Sequence, residues 1–153
     1  ASVFKLKIFL LSKVCFATLA ERQTRYYIAI KMPNRNADTM AKAIVAALSD
    51  FPDEAVKTIT CDRGTEFANW RTIEEQLNCN VYFADPYCAW QKGTNENLNG
   101  LLREFYPKGR NLSRVSPATL KKNLELINSR PKKVLHYKKP VDLFDDCIKK
   151  CCT

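Results

Sequence analysis

The sequence predicts a mixed α/β domain, and three observations carry that prediction. Three strand-like runs follow one another before any helical period appears, later strand-like runs alternate with helix-period segments, and the composition suits one folded unit. The chain has 153 residues, 46% of them hydrophobic and 27% charged, with Gly and Pro at ordinary levels, which excludes the disordered and fibrous classes. A single domain of this length can bury a core of its own.

Phe4 to Leu11 and Val14 to Leu19 are rich in Val, Leu, Ile and Phe, and Arg25 to Met32 follows after the polar turn Glu21-Arg22-Gln23-Thr24. These read as consecutive antiparallel strands, the last two joined by a tight connection. Asn36 is placed to cap a helix from Ala37 to about Ser49, with Met40, Ala43, Ile44, Ala47 and Leu48 recurring on one face. Phe51 to Glu54 reads as a loop and Val56 to Cys61 as the next strand. Asn69 opens a short helix to about Leu77, with Trp70, Ile73 and Leu77 inward. Val81 to Ala84 is a short strand stopped at Asp85-Pro86, since proline cannot extend a ladder. A helix from about Thr94 to Phe105 follows, then one from Pro117 to about Ser129 with Ser116 as its cap and proline in its first turn.

Charge is concentrated. Residues 1 to 102 hold 12 Lys/Arg against 11 Asp/Glu, whereas residues 103 to 139 hold 11 against 2, so this one stretch carries an excess equal to the whole formal charge of +9. Arg103, Lys108, Arg110, Arg114, Lys121, Lys122 and Arg130 alternate with aromatics such as Phe105 and Tyr106, a pattern that attracts polyanions, nucleic acid foremost. A solvated basic surface that serves solubility is the competing reading. Seven cysteines at irregular spacing, with no C-x-x-C pair, argue against a disulfide framework and for a reducing compartment. Cys147, Cys151 and Cys152 with His136 match no standard zinc spacing. The first twenty residues mimic a secretory signal, but Lys13 breaks the apolar run and no stretch is long enough to span a bilayer, so cytoplasmic, nucleoid-associated residence is expected, with no membrane partner.

Two acids stand out. Asp62 leaves the strand Val56 to Cys61, and in an α/β sheet the carboxyl ends of strands open onto the ligand crevice. Gly64 permits a sharp turn after it; a turn-forming or capping Asp is the structural alternative. Glu96 falls in the first turn of the helix from Thr94, where its charge also suits the helix dipole. Spacings of three and seven place Glu96, Asn99 and Arg103 on one stripe, with Leu102 on the same side. Gly93 precedes that helix. Trp90 reads equally as a base-stacking platform or a packing anchor.

Taken together, "ITCDRGTEFANW", "VYFADPYCAWQKGTNENLNGLLREFYPKG" and "LINSRPKKVLHYKKPVDLF" resemble the DDE transposases of insertion-sequence family thirty, relatives of the retroviral integrases with a ribonuclease-H-like fold. The likeness covers about residues 17 to 145, including "LAERQTRYYIAIKM", and 33 residues separate Asp62 from Glu96, close to the family's spacing of its second and third acids. It implies a mixed sheet of about five strands flanked by helices, in a single integrase-type catalytic core over residues 1–153, with residues 1–16 atypical and 106–153 a basic C-terminal helical extension. It further implies two Mg²⁺ (or Mn²⁺) ions, held by Asp62 and Glu96 with a third acid, for phosphodiester cleavage and strand transfer on DNA. Lys92, Asn99, Arg103, Lys108 and Arg110 would position the DNA of transposon ends and target, and no small-molecule substrate is implied. Glu66 would brace its loop and Asp85 shape the mouth of the site. Synaptic complexes of such enzymes need at least two subunits, which leaves a homo-oligomer open.

The departure from the family is sharp. Its first aspartate is expected near Lys5, yet residues 1 to 20 contain no Asp or Glu, and the helix-turn-helix region of a complete transposase is missing from the sequence. A truncated or frame-disrupted copy, catalytically impaired, is the expectation. Its alternatives are a non-catalytic DNA-binding remnant and a ribonuclease-H-like nuclease in which another acid replaces the missing one.

Overall fold

In chain order the elements are β1 (Lys5–Leu10), β2 (Cys15–Ala20), β3 (Tyr27–Met32), α1 (Ala37–Leu48), β4 (Thr58–Cys61), α2 (Trp70–Leu77), β5 (Asn80–Phe83), α3 (Gly93–Phe105), α4 (Pro117–Asn128) and α5 (Pro140–Cys151). This computed structural model describes residues 5–10, 15–85 and 93–152, and side chains for all of these except 5–10, 15 and 95. The mixed α/β class expected from the strand and helix periods is what the chain forms.

The strands lie in the order β3-β2-β1-β4-β5. β1 and β2 run antiparallel with Ile8 opposite Leu19, and β2 and β3 antiparallel with Ala20 opposite Tyr27. β1 and β4 pair in parallel with Lys7 opposite Thr60, and β4 and β5 in parallel with Cys61 opposite Phe83. A short hairpin therefore builds one half, and crossovers through α1 and α2 build the other, as parallel pairing demands.

Alternation along the strands divides the core into two layers. Ala17 and Leu19 of β2, Met32 of β3 and Ile59 and Cys61 of β4 pack with Met40, Ile44 and Leu48 of α1 and Ile73 of α2. Phe16 and Ala20 of β2 and Tyr27 and Ala29 of β3 meet Leu98 and Leu102 of α3, Tyr106 just beyond it, and Leu120 and Ile127 of α4. Each large apolar side chain removed from water contributes about 1.5–3 kcal/mol, so both layers are needed to hold the sheet.

Local chemistry fixes the connections. Between β2 and β3, buried Glu21 accepts from the Gln23 amide at 3.0 Å, the Thr24 amide at 2.6 Å and the Thr24 hydroxyl at 2.5 Å. Ser116 caps α4 as expected, accepting from the Thr119 amide at 3.2 Å, with Pro117 in the first turn. Asn36 occupies the cap position of α1 without capping it through its side chain. Buried Asn128 closes the edge of β3, accepting from the Tyr27 amide at 2.8 Å and donating to the Tyr27 carbonyl at 2.9 Å.

The basic extension is not an appendage. α5, which the periodicity did not reveal, returns Phe144 to the first layer, where it stacks on Tyr26 at 3.9 Å and meets Phe51 edge-on at 5.4 Å. Among the described residues no helix is long and apolar enough to cross a membrane.

Candidate active site

The site is built where the parallel half of the sheet ends. Ile59 and Cys61 face α1 and α2, so Thr58 and Thr60 alternate toward the α3 side, and one further repeat brings Asp62 to that side just past the end of β4. Tyr82, the corresponding outward residue of β5, is 55% exposed, which leaves this part of the sheet open. The Asp62 carbonyl then accepts from the Gly64 amide at 3.0 Å, turning the chain. Glu66 folds back so that its carboxylate lies against the Gly64 α-carbon, in space a Cβ would fill, which agrees with a bracing role. Arg63 and Asp85 approach at 4.0 Å, joining the exits of β4 and β5 across an exposed surface where such a pair adds little stability.

The carboxylates have a measurable neighbour in the Cys61 thiol. Burial pushes that thiol up to about 12, with the charges of Asp62, Cys79 and Glu66 acting in the same direction. Cys61 is consequently protonated and inert at neutral pH.

Glu96 enters from the other side of β1. It lies exposed in the first turn of α3, a helix that packs on β2 and β3 through Leu98 and Leu102. β1 lies between β2 and β4, so the central strand separates the element carrying Glu96 from the one carrying Asp62. Gly93 is the first residue of α3 and not part of the preceding loop.

Asn99 does not fit the expected DNA contact. It is 8% exposed, and its carboxamide oxygen accepts from the Thr18 hydroxyl at 3.2 Å and from the Tyr27 hydroxyl. A buried amide is retained only when hydrogen-bonded, and this one ties α3 to β2 and β3. The stripe through Leu102 thus faces inward at its centre, with Glu96 at its margin. Arg103 is half-buried beside Phe16 and Tyr106, Lys108 is exposed, and the exposed Arg110 guanidinium sits 5.7 Å from the Tyr106 ring centre while donating to the Phe105 carbonyl at 2.9 Å. Lys92 and Trp90 lie outside the described residues. His136 is exposed in a left-handed turn with φ 53°.

Among the described residues no three His, Cys, Asp or Glu side chains gather to hold a metal ion. Every Asp and Glu of the sequence falls within those residues.

Residues 3–89, more than half of the chain, match the family described as Integrase core domain. The chain belongs to that family. Its membership implies a ribonuclease-H-like fold for this integrase core domain. Curated relatives agree. The chain is 39% identical over 128 residues to a probable transposase for the insertion-like sequence element IS1161 of Streptococcus salivarius, covering 84% of this chain and 36% of that protein. It is 34% identical over 129 residues to the transposase InsI for insertion sequence element IS30A of Escherichia coli K12, covering 84% and 34%. It is 36% identical over 136 residues to the transposase for insertion sequence element IS4351 of Bacteroides fragilis, covering 89% and 41%. The integrase core domain therefore spans little more than a third of the length of these relatives.

Sequence reasoning missed Tyr82 and the inward role of Asn99. The alternation Val81-Tyr82-Phe83 carried a signal for the first, and the adjacency of Asn99 to the apolar Leu98 and Leu102 carried one for the second.

Proposed function

We propose that this integrase core domain is the DNA-handling core of an insertion-sequence transposase, of ribonuclease-H-like architecture, that binds duplex DNA but does not itself cut or join it. What supports the reading is the position of Asp62 at the open end of β4 and of Glu96 in the first turn of α3, on elements either side of a central strand whose sequence, KLKIFL, offers no acid.

In an intact domain of this kind divalent ions activate the attacking oxygen and stabilise the departing one. The donor set here does not fit a pair of such ions. Two carboxylates, with no third in the group, supply too few hard oxygen ligands, and the two lysines of β1 add positive charge to the strand where the third is required. Phosphoryl transfer is therefore not part of the proposed activity. DNA contact falls to Arg103, Lys108 and Arg110, with Lys92 completing the set. The surrounding basic stretch supplies affinity that weakens with salt, because each phosphate neutralised releases condensed counterions.

The test pairs two measurements on the purified chain. Fluorescence anisotropy with duplex DNA should report binding whose log affinity falls linearly with log salt. Incubation of transposon-end DNA with target DNA and Mg²⁺ or Mn²⁺ should give no joined product. Efficient joining that disappears in Asp62→Asn would overturn the inactive assignment, and salt-independent or absent duplex binding would overturn the DNA-handling one.

A nuclease reading has one observation in its favour, the carboxylate of Glu66 folded back beside the turn that follows Asp62. It requires metal-dependent cleavage of a nucleic acid that is lost in Glu66→Gln.

A further inference from the structure

A cavity of about 220 Å³ opens beside the first turn of α3, lined by Arg25, Gly93, Thr94, Asn97, Leu98, Lys132 and Val134. At 100° per residue, Thr94 and Leu98 lie on the side of α3 away from Glu96 and Asn97 about a quarter-turn round from it, and neither Glu96 nor Asp62 lines the cavity. Its walls come from three distant parts of the chain: the β2–β3 turn, the start of α3 and the segment after α4.

Two cations meet there without an acid to balance them. The Arg25 guanidinium donates to the Thr94 hydroxyl at 2.5 Å, and among the described residues neither Arg25 nor Lys132 has a carboxylate partner. Glu21 is near enough to be felt by Arg25, but its oxygens are occupied by Gln23 and Thr24. Arg130 is turned to Glu104 at 3.0 Å. Desolvation followed by Arg22 lowers the affinity of Arg25 for its proton, and desolvation followed by Arg130 and Arg25 does the same for Lys132. Each cation is thus half-buried, facing like charge, against the apolar side chains of Leu98 and Val134.

Such an arrangement is unfavourable unless an anion joins it. The backbone adds to the disfavour, because Arg25 adopts φ 61°, a left-handed conformation that Gly or Asn would take more readily. On the other side, Lys132 is held by its own loop: its amide donates to the Lys138 carbonyl at 3.2 Å and its carbonyl accepts from Leu135 and Tyr137, both at 2.9 Å. The Arg25 guanidinium and the backbone that carries Lys132 are thus held before any ligand arrives. Ligand pockets for drug-sized molecules run about 300–1,000 Å³, so this one suits a small anionic group and not a whole nucleotide. A guanidinium, an ammonium, a hydroxyl and an amide are the donors that phosphate oxygens accept from.

We propose that this cavity seats a single phosphate group, delivered by the backbone of the nucleic acid that the domain binds. The choice of source rests on the DNA-handling function proposed above; the anion chemistry does not. A duplex anchored here would cross the flank of α3 away from Glu96, giving the domain a second, sequence-independent hold on DNA.

The experiment compares the wild-type chain with Arg25→Asn/Lys132→Gln and with a control, Lys42→Gln/Lys57→Gln, that removes two exposed charges elsewhere. Asn is chosen at position 25 because it tolerates the backbone there. In salt titrations of duplex DNA binding, losing one phosphate contact should reduce the log–log slope by about 0.9 and weaken binding about equally for unrelated sequences, with the control unchanged. In parallel, inorganic phosphate should raise the melting temperature of wild type more than that of the cavity variant. If wild type binds no DNA yet phosphate still stabilises it selectively, the cavity is an anion site and the DNA-handling function fails. If slope and phosphate response are the same in wild type and cavity variant, or the control loses as much as the cavity variant, the proposal is overturned.

Discussion

Asn128 and Asn99 show how single buried amides hold this domain together. Asn128 satisfies both the amide and the carbonyl of Tyr27 on the outermost strand, which would otherwise present an unpaired edge. Asn128→Ala should lower unfolding stability by about 1–3 kcal/mol, measured by urea denaturation, since it strands a buried amide. Cys61 gives a pH signature. Its thiol ionises near 9.0 when unfolded and near 12 when folded, so the folded chain keeps a proton that the unfolded chain loses. Stability from this group is full below pH 9 and falls as pH rises toward 12, by at most about 1.4 kcal/mol per pH unit. Urea midpoints between pH 8 and 10 should fall less steeply in Cys61→Ala than in wild type. Thiol reagents at pH 8 should modify the exposed Cys152 and spare Cys61.

Helices divide into those whose ends announce them and those held by packing. α4 carries Ser116 and Pro117 at its start, and Ser116→Ala should cost about 1 kcal/mol because it removes the acceptor for the Thr119 amide. Its boundaries were legible for that reason, as was α1, whose apolar period is unbroken. α5 shares the proline start, at Pro140, with Asp142 in its first turn and Lys149 and Lys150 in its last, but Lys139 in its cap position makes no side-chain cap and its lysine-rich approach reads as one continuous basic run. What makes it an element is Phe144, a contact with residues some 90 and 120 positions earlier that no local pattern encodes. Phe144→Ala should cost about 3–5 kcal/mol in the same denaturation assay. Asn99 was misplaced for a related reason: spacing assigns residues to a common stripe of a helix without saying which stripe meets the sheet. Only the side chains of β2 and β3 decide that.

At the scale of the whole molecule, the sheet order and the basic surface are separable properties. The order β3-β2-β1-β4-β5 depends on Ile59, Leu19 and Met32 and their like, none of which is charged, so the fold does not draw on the basic surface. Glu96→Gln should leave the melting temperature within about 2 °C of wild type by circular dichroism, as substitutions of exposed residues away from packed features usually do. The class of the fold was legible because periods of two and near four alternate along the chain. The two acids were singled out by their flanking motifs alone. The cavity at Arg25 and Lys132 was not, since 107 positions separate its two cations and neither sits in a recognisable motif.

The return of Phe144 between Tyr26 and Phe51 sets a clock on biosynthesis. During translation this aromatic contact stays unfinished until nearly all of the residues described here have left the ribosome, so Tyr26 and Phe51 stay uncovered while the residues between them and Phe144 are made. A ribosome-bound intermediate stalled before Phe144 should be cut readily by protease, and one stalled far enough beyond α5 for that helix to emerge should resist.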